Sequence, residues 1–156
     1  MGDYQQQLFH VGIRVPDLEA AMEDVGRTLG LTWATVVERD QQVWTPSGGV
    51  ATTPLRFTYS TEGPQHVELL QGASGSVWDG HDLPGLHHVG VWADDVAAET
   101  ERLLAAGWSL EAAERPPEEG YGAMSYLRSP SGLRLEPVSS RFKSKFERWW
   151  AGAALA

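Results

Sequence analysis

Leu8-Phe9-His10-Val11-Gly12-Ile13-Arg14-Val15-Pro16-Asp17-Leu18 decides how this 156-residue chain is read, because a near copy returns as Leu86-His87-His88-Val89-Gly90-Val91-Trp92-Ala93-Asp94-Asp95-Val96. The copy lies 78 residues further on, half the chain length. Each version is an apolar strand carrying a histidine, followed by an aspartate that can cap a helix. Repetition at half length implies two similar modules with the functional site where they meet.

In the first module Phe9, Val11, Ile13 and Val15 alternate with His10, Gly12 and Arg14, so the two sets are expected on opposite faces. Leu18, Ala21, Met22, Val25 and Leu29 then recur at helical spacing up to Gly30, a C-cap. Thr32 to Glu38, Gln42 to Thr45, Leu55 to Ser60 and His66 to Leu70 read as short strands. His66, Glu68 and Leu70 share one face of the last. The second module repeats the order: Leu86 to Trp92, a helix after Asp94-Asp95, then strands at Trp108 to Ala113, Gly122 to Arg128 and Leu133 to Val138. His87 is expected to face away from His88.

The expectation is an α+β single domain over 1–156. Module 1 spans 8–71, a Gly/Pro-rich linker 72–85, module 2 86–138 and a C-terminal tail 139–156, each module reading βαβββ. In the tail, Phe142, Phe146 and Trp149 or Trp150 at helical spacing predict an amphipathic helix docked on this chain or on a partner subunit. A membrane-surface helix is the alternative.

Composition narrows the function classes. Net charge is −9, from 21 acidic and 12 basic side chains, which argues against a phosphate-backbone binder. The absence of cysteine excludes disulfides, iron–sulfur clusters, thiolate zinc sites and cysteine nucleophiles. No apolar run approaches the ~18 residues of a membrane span, and the N-terminal stretch lacks a signal-peptide pattern. The expectation is a cytoplasmic protein with a small-molecule substrate, no nucleic acid and no membrane.

With the modules in register, His10 and His88 fall on the opening strands and Glu68 and Glu136 on the closing strands. Two imidazoles and two carboxylates converging in a concave sheet make a nitrogen/oxygen site for one divalent metal: zinc, nickel, cobalt, manganese or ferrous iron. Singly, each residue is more often a hydrogen-bonded or solvent-facing strand residue than a ligand. Recurrence at matched places favours the site. His66, on the face it shares with Glu68, is a candidate either to support that carboxylate or to act as a general base beside Glu68 and Glu136. Trp44, Tyr59, Trp92, Met124 and Tyr126 are candidates to line the cavity. Seven tryptophans suit an aromatic substrate, or simply a filled core.

These residues, together with Leu29-Gly30-Leu31 and Ser129-Pro130-Ser131-Gly132-Leu133-Arg134-Leu135-Glu136, resemble the vicinal oxygen chelate superfamily over residues 8–138. That group includes glyoxalase I, methylmalonyl-CoA epimerase, extradiol dioxygenases and the bleomycin and fosfomycin resistance proteins. The resemblance implies paired modules curved into a half-barrel, often with a dimer interface alongside, hence a homodimer. It implies His10, Glu68, His88 and Glu136 as metal ligands, a set similar to that of bacterial glyoxalase I; the epimerase usually has Gln where this chain has Glu68. Arg14 matches an arginine that glyoxalase I uses to hold glutathione, or else forms a salt bridge. The epimerase also has a second catalytic carboxylate in its middle strands, whereas Gln41 to Thr61 holds no acidic residue. The expected activity is metal-assisted proton transfer on a small oxygenated substrate, as an isomerase, epimerase or lyase. A metal-dependent hydrolase or oxygenase, or a metal-free binding protein, stays open.

Overall fold

β1 (Leu8–Arg14) ends at Pro16, and the Asp17 carboxylate accepts the Ala20 N–H at 2.9 Å to start α1 (Leu18–Leu29). Gly30, at φ +70°, takes the left-handed turn that closes this helix. Leu18 is buried against Val15 and Leu69, with Ile13, Ala21 and Met22 around them, which fixes α1 on β1 and its neighbour. The computed structural model that shows this describes residues 3–155.

A long hairpin follows, β2 (Val37–Thr45) and β3 (Gly49–Tyr59), then β4 (His66–Gly72). The second half is built alike: β5 (Gly85–Ala93), α2 (Val96–Ala105), β6 (Ser109–Ala113), β7 (Ser125–Arg128) and β8 (Arg134–Ser139). Asp95 caps α2 through the Ala98 N–H at 3.0 Å, as Asp17 caps α1. The tail carries α3 (Lys143–Trp150).

β1 runs parallel to β4 and antiparallel to β5, and β5 runs parallel to β8. The full order is β1-β4-β3-β2-β6-β7-β8-β5, closing on β1. The expected half-barrel is therefore corrected to a closed, mixed eight-stranded barrel. Closure comes from β2 and β3, which continue as strands of nine and eleven residues; β2 reaches β6 through the pair Trp44–Ala113. The separate strand expected at 32–38 does not form over its first residues. There the Trp33 indole N–H donates to the Met22 carbonyl at 2.9 Å, tying the segment to α1.

The barrel interior holds Phe9, Phe57, Tyr59, Trp78, Trp92, Tyr126 and Val138. α3 docks on this chain: Trp149 is fully buried, its indole N–H donates to the Thr35 carbonyl at 2.9 Å, and Phe146 packs on Phe9, Tyr59 and Trp92. The 72–85 segment is ordered by the Asp79 carboxylate. It accepts the N–H groups of Gly75, His81 and Asp82, which pull its pKa down to about 2. Among the described residues no helix is long and apolar enough to cross a membrane.

Candidate metal centre

His10 and His88 stand on β1 and β5, the antiparallel pair where the two halves meet. Glu68 and Glu136 stand on β4 and β8, the parallel neighbour of each. All four are buried, and each offers a donor atom within 4.8 Å of the other three. The two histidine Nε2 atoms face each other at 2.9 Å. Glu68 Oε1 lies 3.4 Å from His10 Nε2 and 3.1 Å from His88 Nε2; Glu136 Oε1 lies 3.1 and 3.2 Å from them.

This donor set fits a divalent ion. Ligands about 2.1 Å from a common ion lie about 3.0–3.4 Å apart from one another, close to the spacing observed. Glu68 Oε1 and His10 Nδ1 are buried without a hydrogen-bond partner. An orphaned carboxylate oxygen costs about 1–3 kcal/mol or more in a protein interior, a cost that coordination would remove. Two nitrogen and two oxygen donors suit zinc, nickel, cobalt, manganese or ferrous iron.

The close approach depends on two glycines. Across β1 and β5, His10 pairs with Gly90 and Gly12 with His88, so each imidazole lies over the other half's glycine. A Cβ on Gly12 would fall 2.0 Å from the His88 ring, and one on Gly90 1.9 Å from the His10 ring. The repeated His-Val-Gly is thus one reciprocal fit.

Strict alternation fails just before each histidine. The β1–β5 register steps from Leu8–Val91 to His10–Gly90, leaving Phe9 as an extra residue, and from Gly12–His88 to Ile13–Leu86, leaving His87 as another. A bulge of this kind re-aims a side chain. Phe9 turns inward to stack on Trp92 at 3.7 Å and meets the His10 ring edge-on at 4.3 Å. His87, expected to point away from His88, places its Nδ1 2.9 Å from His88 Nδ1. With His88 Nε2 turned toward the other donors, its Nδ1–H donates to His87. Burial, then the charge on His88, pushes the His87 pKa down to about 2, leaving it neutral and able to accept.

The cluster polarises its surroundings. Burial opposes charge on His88, but Glu136 and Glu68 outweigh it and hold the pKa up at about 9. Burial likewise opposes charge on Glu136, yet His88 and His10 lower its pKa below the ordinary carboxylate value. Tyr59 and Tyr126 are pushed well above 10 by burial, then by the two carboxylates. Both phenols therefore keep their protons.

A cavity of about 410 Å³ opens onto Glu68 and Glu136, with Tyr59, Met124 and Tyr126 in its wall. Four other expected residues lie elsewhere. Trp44 packs with Ala93, Val96, Ala113 and Tyr121, because Val43 takes the inward position on β2. Trp92 is consumed by its stack on Phe9. His66 gives Nδ1 to the Ser60 carbonyl at 2.6 Å and is covered by Trp150 at 3.6 Å. Arg14, four residues and about 13 Å along the strand from His10, faces a second cavity. Trp78, which the sequence leaves open as a residue packing over the site or one fastening its loop, lines the cavity onto which Glu68 and Glu136 open; Arg39, Glu114 and the tail residues Lys145 and Phe146 also line it without having been singled out. Trp78 donates its indole N–H to the Tyr126 hydroxyl at 2.9 Å. Glu114 lies past the end of β6, so the barrel supplies a further cavity carboxylate from the opposite half to the one searched in the sequence.

The family model described as the glyoxalase/bleomycin resistance protein/dioxygenase superfamily matches residues 9–126. Similar solved structures include a hypothetical protein from Bacillus halodurans, at 19% identity over 85% of this chain and 92% of that one, TM-score 0.58. Methylmalonyl-CoA epimerase in complex with methylmalonyl-CoA and ammonium is another, at 20% identity, 85% and 93% coverage, TM-score 0.54. A mutant 4-hydroxymandelate synthase from Streptomyces coelicolor gives 14% identity and a TM-score of 0.57, over 85% of this chain and 48% of that one. At these identities the likeness is one of fold. No curated protein matches the chain.

Proposed function

Because this chain belongs to the glyoxalase/bleomycin resistance protein/dioxygenase superfamily, we propose that it is a divalent-metal-dependent enzyme catalysing proton transfer on a small oxygenated substrate, as an isomerase, epimerase or lyase. One observation carries the reading: His10, Glu68, His88 and Glu136 converge, buried, at the floor of a cavity whose wall includes both carboxylates. The epimerase neighbour, solved with methylmalonyl-CoA, supports a carbon acid beside a carbonyl as the substrate type.

His10, Glu68, His88 and Glu136 would hold the metal, which when bound supplies Lewis-acid stabilisation of negative charge developing on a substrate oxygen. Glu68 and Glu136 each face the cavity, so whichever of the two substrate binding frees from its role as a ligand can take the proton from the carbon beside the carbonyl and return it to the carbon skeleton. Tyr59 and Tyr126 stay protonated beside them and offer hydrogen bonds to substrate oxygen rather than bases. His87 holds His88 in the tautomer whose Nε2 faces the site. His66 is left out of the proton path by its bond to Ser60 and its cover of Trp150. A metal-free binder has less support, since such a protein has no need to bury four facing donors.

The test is solvent-deuterium exchange followed by proton NMR. Chelator-treated protein reloaded with nickel, cobalt, zinc, manganese or ferrous iron is mixed with methylmalonyl-CoA and a panel of small 2-oxo and 2-hydroxy acids. Metal-dependent exchange beside a carbonyl, abolished in Glu68→Ala/Glu136→Ala, is expected. Undiminished exchange in the double variant, or none with any metal and substrate, would contradict the reading.

A further inference from the structure

The metal cavity ends at a rim that the proton chemistry leaves unused. Burial orders its lining: Glu68 and Glu136 lie at the floor, Phe57, Trp78 and Phe146 form the sides, and Arg39 and Lys145 reach solvent. Arg39 stands on β2 opposite Leu55, and its guanidinium reaches back to lie 5.1 Å over the centre of the Phe57 ring. Lys145 comes from α3, outside the 9–126 segment that the family model matches. Its neighbours Lys143, Ser144, Glu147 and Arg148 are exposed, whereas half-buried Lys145 shares the inward face of the tail with Phe142 and Phe146.

Neither cation is engaged. Among the described residues neither side chain has a hydrogen bond, or an ion pair within 4.0 Å. Glu114, the one lining acid besides the two ligands, is turned to its own loop, where Oε1 accepts the Ala123 N–H at 2.9 Å. Desolvation of its inward part lowers the Arg39 pKa, and Glu114 and Glu68 oppose that only from beyond contact. Once a divalent ion offsets Glu68 and Glu136, the wall holds two cations against Glu114 alone, so a single negative charge is missing. Spacing sets the length of what supplies it. Tyr59 pairs with Glu68, and Phe57, under the guanidinium, lies two residues or about 7 Å nearer the rim along β3. The space between is walled by rings, and its volume of about 410 Å³ is that of a small-molecule site.

We propose that the substrate of the metal centre is a small monoanion with a flat apolar body, its carbonyl end at the donors and its carboxylate held at the rim by Arg39 and Lys145. This deepens the proton-transfer reading, on which it rests, by naming the substrate class. Arg39 offers a carboxylate paired N–H donors, and Lys145 adds a compact charge from the tail. The rings of Phe57, Trp78 and Phe146 take the body between the two ends. α3 is thereby part of the substrate site as well as a packing element.

Isothermal titration of the zinc-loaded full chain decides it, using 4-acetylbenzoate, which carries a ketone and a carboxylate at opposite ends of one ring, and its uncharged amide, 4-acetylbenzamide. The acid is expected to bind at least tenfold more tightly than the amide. Arg39→Met and Lys145→Met should each cut that preference severalfold, and the double variant should abolish it while leaving amide binding unchanged. Both side chains reach solvent and hold no partner, so these variants should fold. Arg128→Met, at the second cavity, should bind both compounds as the parent does. Equal binding of acid and amide, binding of neither, or a preference that survives the double variant would overturn the proposal. The outcome is separable from that of the exchange experiment. Absent exchange, with a charge preference still carried by Arg39 and Lys145, would remove the proton-transfer reading and leave the anion site standing.

Discussion

The two halves of the barrel place the same donors but support them differently. Each sets a histidine on its opening strand, a glutamate on the parallel neighbour and a tyrosine beside the imidazole: Tyr59 lies 5.0 Å from His10, and Tyr126 4.9 Å from His88. Each also has an inward-turned bulge residue just before the histidine. In the first half that residue is Phe9, which stacks into the aromatic core and leaves His10 Nδ1 without a partner. In the second it is His87, which accepts from His88 Nδ1. The duplicated frame fixes where the donors go, while one substitution at the bulge makes one half a packing element and the other a hydrogen-bonding element.

The largest expected effect breaks what the halves share. Gly12→Ala or Gly90→Ala drives a methyl into the opposite imidazole. Neither ring can retreat without leaving the cluster, so metal retention after gel filtration should be lost in both. Overpacking should also cost about 1–3 kcal/mol in urea unfolding. Retained metal in either variant would mean that the strands at the seam yield more than their register suggests.

Phe9→Ala should separate packing from ligation. Removing a buried phenylalanine costs about 3–5 kcal/mol, read in urea unfolding, while metal affinity measured against a chromophoric chelator should change little. The reverse pattern would make Phe9 a support for His10 rather than for the core.

The halves also predict a pH limit for metal-free protein. His88 is raised from 6.5 to about 9, so its contribution is complete below about pH 6.5 and lost as pH rises toward 9. Glu136 is lowered from 4.5, so its contribution is present above that value and lost as pH falls below it. Metal-free stability from this cluster should therefore be greatest between these limits and decline on the alkaline side by up to about 3 kcal/mol. A melting temperature that stays level from pH 6.5 to 9 would contradict it. Bound metal, by replacing the proton on His88, should remove that alkaline decline.

His87→Phe makes the second half copy the first. It keeps a ring in the bulge but removes the acceptor, and should weaken metal binding about 10–100-fold, as losing an outer partner of a metal-bound histidine generally does. Cobalt-loaded protein should show an altered visible spectrum. Unchanged affinity and spectrum would reduce His87 to a filler like Phe9.

Much of this was legible in the chain. The duplication, the caps at Asp17 and Asp95, and the four donors follow from residue type and spacing, because matched positions in a repeated frame must meet if the repeats pair. The bulges were not legible: period-two alternation presumes an unbroken ladder, and one inserted residue moves a side chain to the other face. The trace that remained was an aromatic or imidazole ring directly before each histidine, at Phe9 and His87. Closure through Trp44–Ala113 and the arrival of Arg39, Glu114 and Lys145 at the cavity depend on long-range placement of β2, β6 and the tail, which no local pattern encodes.

The central claim is that the two halves jointly hold one divalent ion, and elemental analysis of purified protein tests it most directly, beside His10→Ala and Glu136→Ala. The account predicts about one equivalent of a transition metal per chain, lost in a variant of either half. No metal in the parent protein, even after incubation with nickel, cobalt, zinc, manganese and ferrous iron, would contradict it.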